Sequence, residues 1–265
     1  LSVADPMGHL TAYGYDAAGN LMTIMDANGH VTAFSYDELN RQVEKIWPDS
    51  SSETFGYDLN DNQTSHRLAD GKTNTYLYDE MGRLTQVDYF DGQRVNYTYT
   101  LNGLQQTVVD GRGTTNYAYD NQDRLTGITQ PDGQAVSYSY DAAGNRLSMT
   151  TPAGTTHYSY DDAGQLASVT DPSGGASNYA YDNAGLRTQL VLPNGITIDF
   201  GYDALGRLTG IDQHLGAATL ASYAYTLDPA GNRLSVSEAD GLSIQWAYDD
   251  AYRLASETRR DASNA

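Results

Sequence analysis

Apolar and polar residues alternate in short bursts along the whole chain. Tyr13-Gly14-Tyr15, Phe34-Ser35-Tyr36 and Tyr138-Ser139-Tyr140 each set two rings two residues apart around a small residue. In an extended chain successive side chains point to opposite faces, so the two rings share one face and the small residue takes the other. Each burst stops at a cluster of Asp, Asn, Gly or Pro, and such clusters return about every ten residues. That spacing leaves no room for three capped helical turns; it predicts strands of ordinary length joined by tight turns.

The bursts are periodic. The second aromatic falls at Tyr15, Tyr36, Tyr57, Tyr78, Tyr99, Tyr119, Tyr140, Tyr160, Tyr181, Tyr202, Tyr225 and Tyr248, with steps mostly of 20 or 21 residues and two of 23. A fixed period of this size marks a repeat array, here about twelve units of about 21 residues read as one array over residues 1–265. Asp first and Gly fourth after the tyrosine, as in Asp16 to Gly19, predicts a type I turn followed by a left-handed residue. Gly19, Asn40, Asp61, Gly82, Gly103, Asp123, Gly144, Gly164, Gly185, Gly206 and Gly231 fill that slot; Tyr252 breaks the rule. Halfway between, Asn28-Gly29, Asp70-Gly71, Asp91-Gly92, Asp110-Gly111, Asp132-Gly133, Asn194-Gly195 and Asp240-Gly241 predict two-residue hairpin turns. The expectation is a meander in which two turn chemistries alternate.

The shared faces predict a double aromatic ladder on one side of the sheet, its rings stacked across strands. Leu84, Leu125, Leu147, Leu166, Leu208 and Leu254 on the outgoing strands extend it, with Ile24, Val87, Ile128, Val169 and Ile211 beyond them. The framework residues are Tyr15, Asp16 and Gly19; Tyr78, Asp79 and Gly82; Tyr138, Tyr140, Asp141 and Gly144; Tyr160, Asp161 and Gly164; Tyr181, Asp182 and Gly185; Tyr202, Asp203 and Gly206. At two strands per repeat and about 4.8 Å per strand, a flat ribbon would run roughly 110 Å. Strand twist predicts that it coils into a long, strongly twisted spiralling sheet.

Composition narrows the partners. The chain carries 34 acidic against 15 basic residues, a formal charge of −19, which disfavours nucleic acid and anionic lipid surfaces. Tyrosine is abundant at 22 residues against four Phe and two Trp, so the ladder is mainly phenolic. There is no cysteine, which excludes disulfides and thiolate metal sites. No apolar run approaches a membrane span, so no membrane insertion is expected. The first residues, Leu1 to Asp5, enter partway through a repeat and the last, Asp261 to Ala265, leave one, which predicts a piece of a longer array.

Tyr140-Asp141-Ala142-Ala143-Gly144-Asn145-Arg146-Leu147, Tyr78-Asp79-Glu80-Met81-Gly82-Arg83-Leu84 and Tyr202-Asp203-Ala204-Leu205-Gly206-Arg207-Leu208 resemble the YD repeat of rearrangement-hotspot (Rhs) proteins. The resemblance covers essentially the whole chain. Thr100 and Thr226 depart from it at the Asp position, and the unit after Tyr225 carries two extra residues. It implies a β-sheet wound into a hollow shell, as in bacterial toxin shells, toxin-complex shells and teneurins. It also implies further repeats and an enclosed C-terminal toxin domain as partners within one polypeptide, at a bacterial cell surface or secreted. Nothing in the chain matches the end of such a shell, so the expectation is wall only. Carbohydrate binding is the family's other implied activity.

Other chemistry finds little support in the sequence. A calcium loop needs about six converging oxygens, and each turn offers one Asp, whose simplest partners are its own turn amides. The arginines after the left-handed slot are expected to pair with the Asp of a neighbouring turn and to lie over tyrosine rings. The five histidines are scattered, and no nucleophile, phosphate loop or metal motif appears. The sequence therefore predicts no enzyme, no cofactor and no metal. The ladder is the one candidate binding surface, for sugars, and the two open sheet edges predict edge-to-edge self-association.

Overall fold

Every Asp-x-x-Gly turn reverses the chain and lays the next strand antiparallel to the last. In a computed structural model, which describes residues 1–261, this happens from end to end. Ala262 to Ala265, the tail of the expected array, lie outside the described residues. There are twenty-five strands among the described residues and no helix. The all-β class and the antiparallel hairpin array expected from the pattern are both present.

The chain divides into two compact units, Leu1–Gln134 and Ala135–Ala265. In the first, Leu10–Tyr15 pairs with Leu21–Met25, which pairs with Val31–Tyr36, and so on to Leu125–Thr129. In the second, the succession runs from Ala135–Tyr140 with Arg146–Thr151 to Ser243–Tyr248 with Leu254–Arg260. All of these pairings are antiparallel.

Within a hairpin the register follows one scheme. Tyr13 faces Ile24, Gly14 faces Thr23, and then the register slips so that Tyr15 faces Leu21. One residue of the outgoing strand, here Met22, is skipped as a β-bulge next to the turn. The same slip recurs at Tyr57, Tyr78, Tyr140, Tyr181 and Tyr202. Between hairpins the register is shorter: Thr23–Met25 faces Ala33–Val31, and the pairs stop three residues short of Tyr36.

Most second turns repeat the geometry of the first, which corrects the expectation of two strictly alternating kinds; three keep a two-residue loop. At the first turn Gly19 N donates to Asp16 O (3.2 Å) and Asp16 N to Asn20 O (3.0 Å). At the second, Gly29 N donates to Asp26 O and Asp26 N to His30 O, both at 3.0 Å. Gly29 has φ +84° whereas Asn28 does not adopt positive φ, so this is a type I turn plus a left-handed residue and not the two-residue turn that Asn-Gly suggested. Asn before Gly suits the third position of one turn as well as the first central position of the other. Where Asp does not open the second turn, an Asp two places on supplies the side-chain acceptor: Asp70 for Lys72 N, Asp91 for Gln93 N, Asp132 for Gln134 N. Two-residue loops occur at Gly111-Arg112, Pro152-Ala153 and Gly216-Ala217.

Tyr252 adopts the left-handed conformation, φ 59°, although its sequence breaks the rule. Tyr252 N still donates to Asp249 O, so the turn's backbone bonding imposes the slot on whichever residue falls there. The interior is thin: Val87 and Val236, at 4 % and 5 % exposed, are the buried apolar residues among those described. The array is held by backbone ladders and repeated side-chain contacts, with little closed core.

Candidate functional site: the turn edge and the ladder face

The turn aspartates are committed to their own turns. Asp16 Oδ1 accepts from Ala18 N and Asn20 N, and Oδ2 from Asn20 Nδ2, all at 2.8–2.9 Å. Asp79 takes Met81 N, Arg83 N and Arg83 Nε, and Asp203 takes Leu205 N, Arg207 N and Arg207 Nε. Asp141 accepts Asn145 N and Nδ2, Asp161 accepts Ala163 N and Gln165 N, and Asp182 accepts Ala184 N and Leu186 N. At Asp16, Asp79, Asp141 and Asp203 these bonds favour the ionised form. The side-chain amide of Asn20 holds the Asp16 carboxyl below the usual range, as Asn145 does for Asp141 and the Arg83 side chain for Asp79; for Asp203 the Arg207 amide leads. Gly19, Gly82, Gly144, Gly164, Gly185 and Gly206 all have φ between +74° and +94°.

The second tyrosine of most aromatic pairs ties one hairpin to the one before. Tyr78 OH donates to Gln63 O (2.9 Å), Tyr160 OH to Arg146 O (3.1 Å), Tyr181 OH to Leu166 O (3.1 Å) and Tyr202 OH to Arg187 O (3.0 Å). Tyr36, Tyr57, Tyr99, Tyr119 and Tyr248 do the same. Tyr15 is half exposed. Tyr138 faces Met149, and Arg146 faces Tyr140.

The rings of the ladder do not stack on one another, contrary to expectation. An outgoing strand stands between successive aromatic pairs, so the first ring of most pairs faces an aliphatic side chain: Tyr13 with Ile24, Tyr76 with Val87, Tyr158 with Val169. The ring–ring contact among the described residues is Phe55 with His66, 4.7 Å between centroids. Leu147 is likewise not on the ladder face. It is the skipped bulge residue, 41 % exposed, and Arg146 takes the place that leucine holds in other repeats.

The turn arginines pair first within their own turns, and Arg41 makes in addition the expected pair with a neighbouring turn's Asp. Arg41, Arg83, Arg124 and Arg207 each reach the Asp four residues back at 2.7 Å. Arg41 Nη1 then crosses to Asp58 O (2.9 Å) and Asp61 Oδ1 (2.7 Å), with its guanidinium 4.7 Å from the Tyr57 ring. Arg83 repeats the arrangement over Tyr99. Short polar cross-strand pairs, such as Ser139–Ser148 and Ser159–Ser168 at 2.6 Å, cover the opposite face.

One group was missed by sequence reasoning. On the aliphatic row of the ladder face, where other repeats hold Ile24, Val87 and Val108, two neighbouring repeats hold Lys45 and His66, and towards the C-terminus Glu257 stands opposite Trp246. Glu53 lies between them, accepting from His66 Nε2 (3.1 Å) and Trp47 Nε1 (3.2 Å). Lys45 Nζ sits 3.4 Å from the Trp47 ring centre. His66, by hydrogen bonding, is the main reason that the Glu53 carboxyl lies below its ordinary range. Aligning the repeats on the row opposite the first aromatic would have exposed the change.

Clefts open between successive turns of the second unit. One of them, about 610 Å³, is lined by Asp161, Gln165, Tyr181, Asp182 and Gly185. No cluster of three or more His, Asp or Glu able to hold a metal occurs among the described residues. No helix among them is long and apolar enough to cross a membrane.

Known proteins share this architecture. The crystal structures titled TcdB2-TccC3-TEV and TcdB2-TccC3 superpose with TM-scores of 0.69 at 18 % and 17 % identity, over 94 % and 97 % of this chain. A mutant Tc holotoxin pore of Photorhabdus luminescens matches over 96 % of the chain with a TM-score of 0.51 at 19 % identity. The chain spans 15–17 % of the length of these structures. No curated protein sequence matches it significantly. The RHS Repeat model matches residues 15–46, 57–94, 99–135, 119–156, 160–197, 202–243 and 228–263. A 21-residue period of bulged hairpins, a superposable fold and seven matches along most of the chain establish that it belongs to the RHS repeat family.

Proposed function

We propose that the chain is a structural wall: residues 1–265 act as one array whose full-length protein encloses or displays a C-terminal toxin domain. The observation that carries this is the use of the repeated residues. Tyr hydroxyls, turn carboxylates and turn arginines are spent on tying each hairpin to itself and to the one before. A surface whose polar groups are already satisfied suits containment better than catalysis, so the role is structural and not enzymatic. The partners are then further repeats and the enclosed domain of the same polypeptide, and the location is secreted or at the bacterial cell surface. Leu254–Arg260 pairs on one side, with Ser243–Tyr248, which leaves an edge for further repeats or for edge-to-edge self-association. The test is protease protection in the whole protein. A C-terminal domain that resists digestion until the wall is opened by Tyr→Phe substitutions supports enclosure; equal cleavage of intact and weakened protein rejects it.

A second reading, a carbohydrate-binding module, draws on the Lys45–Trp47–Glu53–Phe55–His66 group, where the repeat is broken and aromatic faces meet polar groups. Binding on a glycan array that disappears with Trp47→Ala supports it, and a blank array removes it.

A further inference from the structure

Eight arginines follow the left-handed turn residues, and one step in sequence divides their roles. Arg41, Arg83, Arg124, Arg207 and Arg253 come immediately after the slot and pair with their own turn's Asp. Arg146, Arg187 and Arg233 come one residue later. Asn145, Leu186 and Asn232 close those turns, and each arginine becomes the first residue of the outgoing strand. Its side chain is thereby delivered to the ladder face. The guanidinium of Arg146 lies 4.4 Å from the Tyr158 ring centre, that of Arg187 4.5 Å from Phe200, and that of Arg233 4.4 Å from Tyr225.

None of the three has a carboxylate at ion-pair distance or a side-chain hydrogen bond among the described residues, and Nε of Arg146 is buried without a partner. Stacking on a ring satisfies the flat face of a guanidinium and leaves its in-plane N–H donors unmet. The repeats in between place Leu166 and Leu208 at the same position, so the sheet does not need a cation there. In a chain of net charge −19, three arginines without a carboxylate partner share one face of the second unit.

Their spacing is regular. Arg146 and Arg187 are four strands apart, as are Arg187 and Arg233, which sets each pair about 19 Å apart at about 4.8 Å per strand. An extended polypeptide advances about 3.3 Å per residue, so about six residues bridge adjacent arginines. The fork of a guanidinium matches a carboxylate. A nucleic acid fits poorly, because its closely spaced phosphates would meet the acidic turns between the arginines. We propose that the ladder face of the second unit binds an extended acidic polypeptide crossing the strands, with carboxylates about six residues apart seated on Arg146, Arg187 and Arg233. Leu166 and Leu208 receive apolar residues between them. This binding does not depend on the proposed enclosure, since a displayed wall presents the same face.

The test uses the full chain and a fluorescent peptide of about 18 residues with Glu at about every sixth position in a Gly/Ser/Leu background, at roughly 50 mM salt. Anisotropy is expected to report saturable binding, weakened about tenfold or more when Gln replaces Glu. Arg146→Leu/Arg187→Leu/Arg233→Leu installs the neighbouring repeats' own residue and is expected to keep the sheet signal in circular dichroism while losing about tenfold or more in affinity. The matching Arg→Lys variant keeps the charge without the fork, is expected to lose a few-fold, and carries the comparison should the leucine variant lose its sheet. Equal binding of the Gln peptide, unchanged affinity in both variants, no saturable binding of the Glu peptide, or tighter binding of a duplex oligonucleotide or sulfated oligosaccharide would each overturn the proposal.

Discussion

The hydroxyl of Tyr36 donates to the carbonyl of Leu21, fifteen residues back, at 3.0 Å. The bond bridges a gap in the backbone ladder. Pairing between Leu21–Met25 and Val31–Tyr36 ends at Thr23 with Ala33, and the bulge at Met22 carries the outgoing strand away from the regular register. Tyr36 reaches across beyond the last pair, and tyrosines from Tyr57 to Tyr248 repeat the bond in other hairpins. This accounts for tyrosine, where phenylalanine would serve the hydrophobic contact alone.

Tyr57→Phe and Tyr181→Phe should therefore each lower stability by about 1 kcal/mol, the usual net value of one such bond. Tyr15, whose hydroxyl has no such bond in the structure, supplies the control and should change by less than about 0.3 kcal/mol as Phe. Urea midpoints with unchanged slopes would show it. Equal effects at Tyr15 and Tyr57 would mean that the hydroxyl contributes nothing specific.

Acid should weaken the array through its turns. The carboxyls of Asp16, Asp79, Asp141 and Asp203 titrate lower in the folded chain than in the unfolded one. The unfolded state then takes up more protons in acid, so this stabilisation is complete above about pH 5 and is lost as pH falls through the folded-state values, below about 4. Relief of repulsion among the net −19 charges works the other way and acts first, as carboxylates outside the turns neutralise. The expected melting temperature is level or slightly rising from pH 7 to about 5 and falls below about 4. A steady rise down to pH 3 would contradict the role given to the turn aspartates.

How much of this was legible depends on whether a feature lies within one turn or between two. The left-handed slot at Gly19 or Gly144 and its Asp are separated by three residues, and local chemistry fixes both. The partner of the Tyr36 hydroxyl is set by the register between hairpins, which no single repeat encodes. The bulge was equally hidden, and because skipping one residue flips the face, Leu147 turned outward and Arg146 inward. Spacing alone leaves open which Asp an arginine takes: the closed turn brings the Asp four residues back to Arg83, and Arg41 reaches both that Asp and Asp61 of the neighbouring turn.

The left-handed slot also predicts where stability can be gained. Ser50 and Tyr252 adopt φ of 67° and 59° without the glycine that such angles favour. A side chain there costs roughly 1–2 kcal/mol, partly offset because glycine loses more freedom on folding. Ser50→Gly and Tyr252→Gly should each stabilise by about 0.5–1 kcal/mol, read as a higher urea midpoint. A loss at either position would show that its side chain makes a compensating contact.

The Glu53 group makes the opposite demand, because its members depend on each other. His66→Val leaves Glu53 without its closest hydrogen-bond partner on a half-buried face, and should cost about 1–2 kcal/mol, less than the 3–5 kcal/mol of breaking a fully buried ion pair. Lys45→Val/Glu53→Thr/His66→Val installs residues that the same rows hold elsewhere, as at Val87, Val108 and Thr32. With every charge removed together, no group is left unpaired, and the triple variant should match or exceed the parent in stability. Such a variant that folds well yet loses glycan binding would assign the group to a ligand. A triple variant less stable than His66→Val would show that the polar network itself holds these two hairpins together.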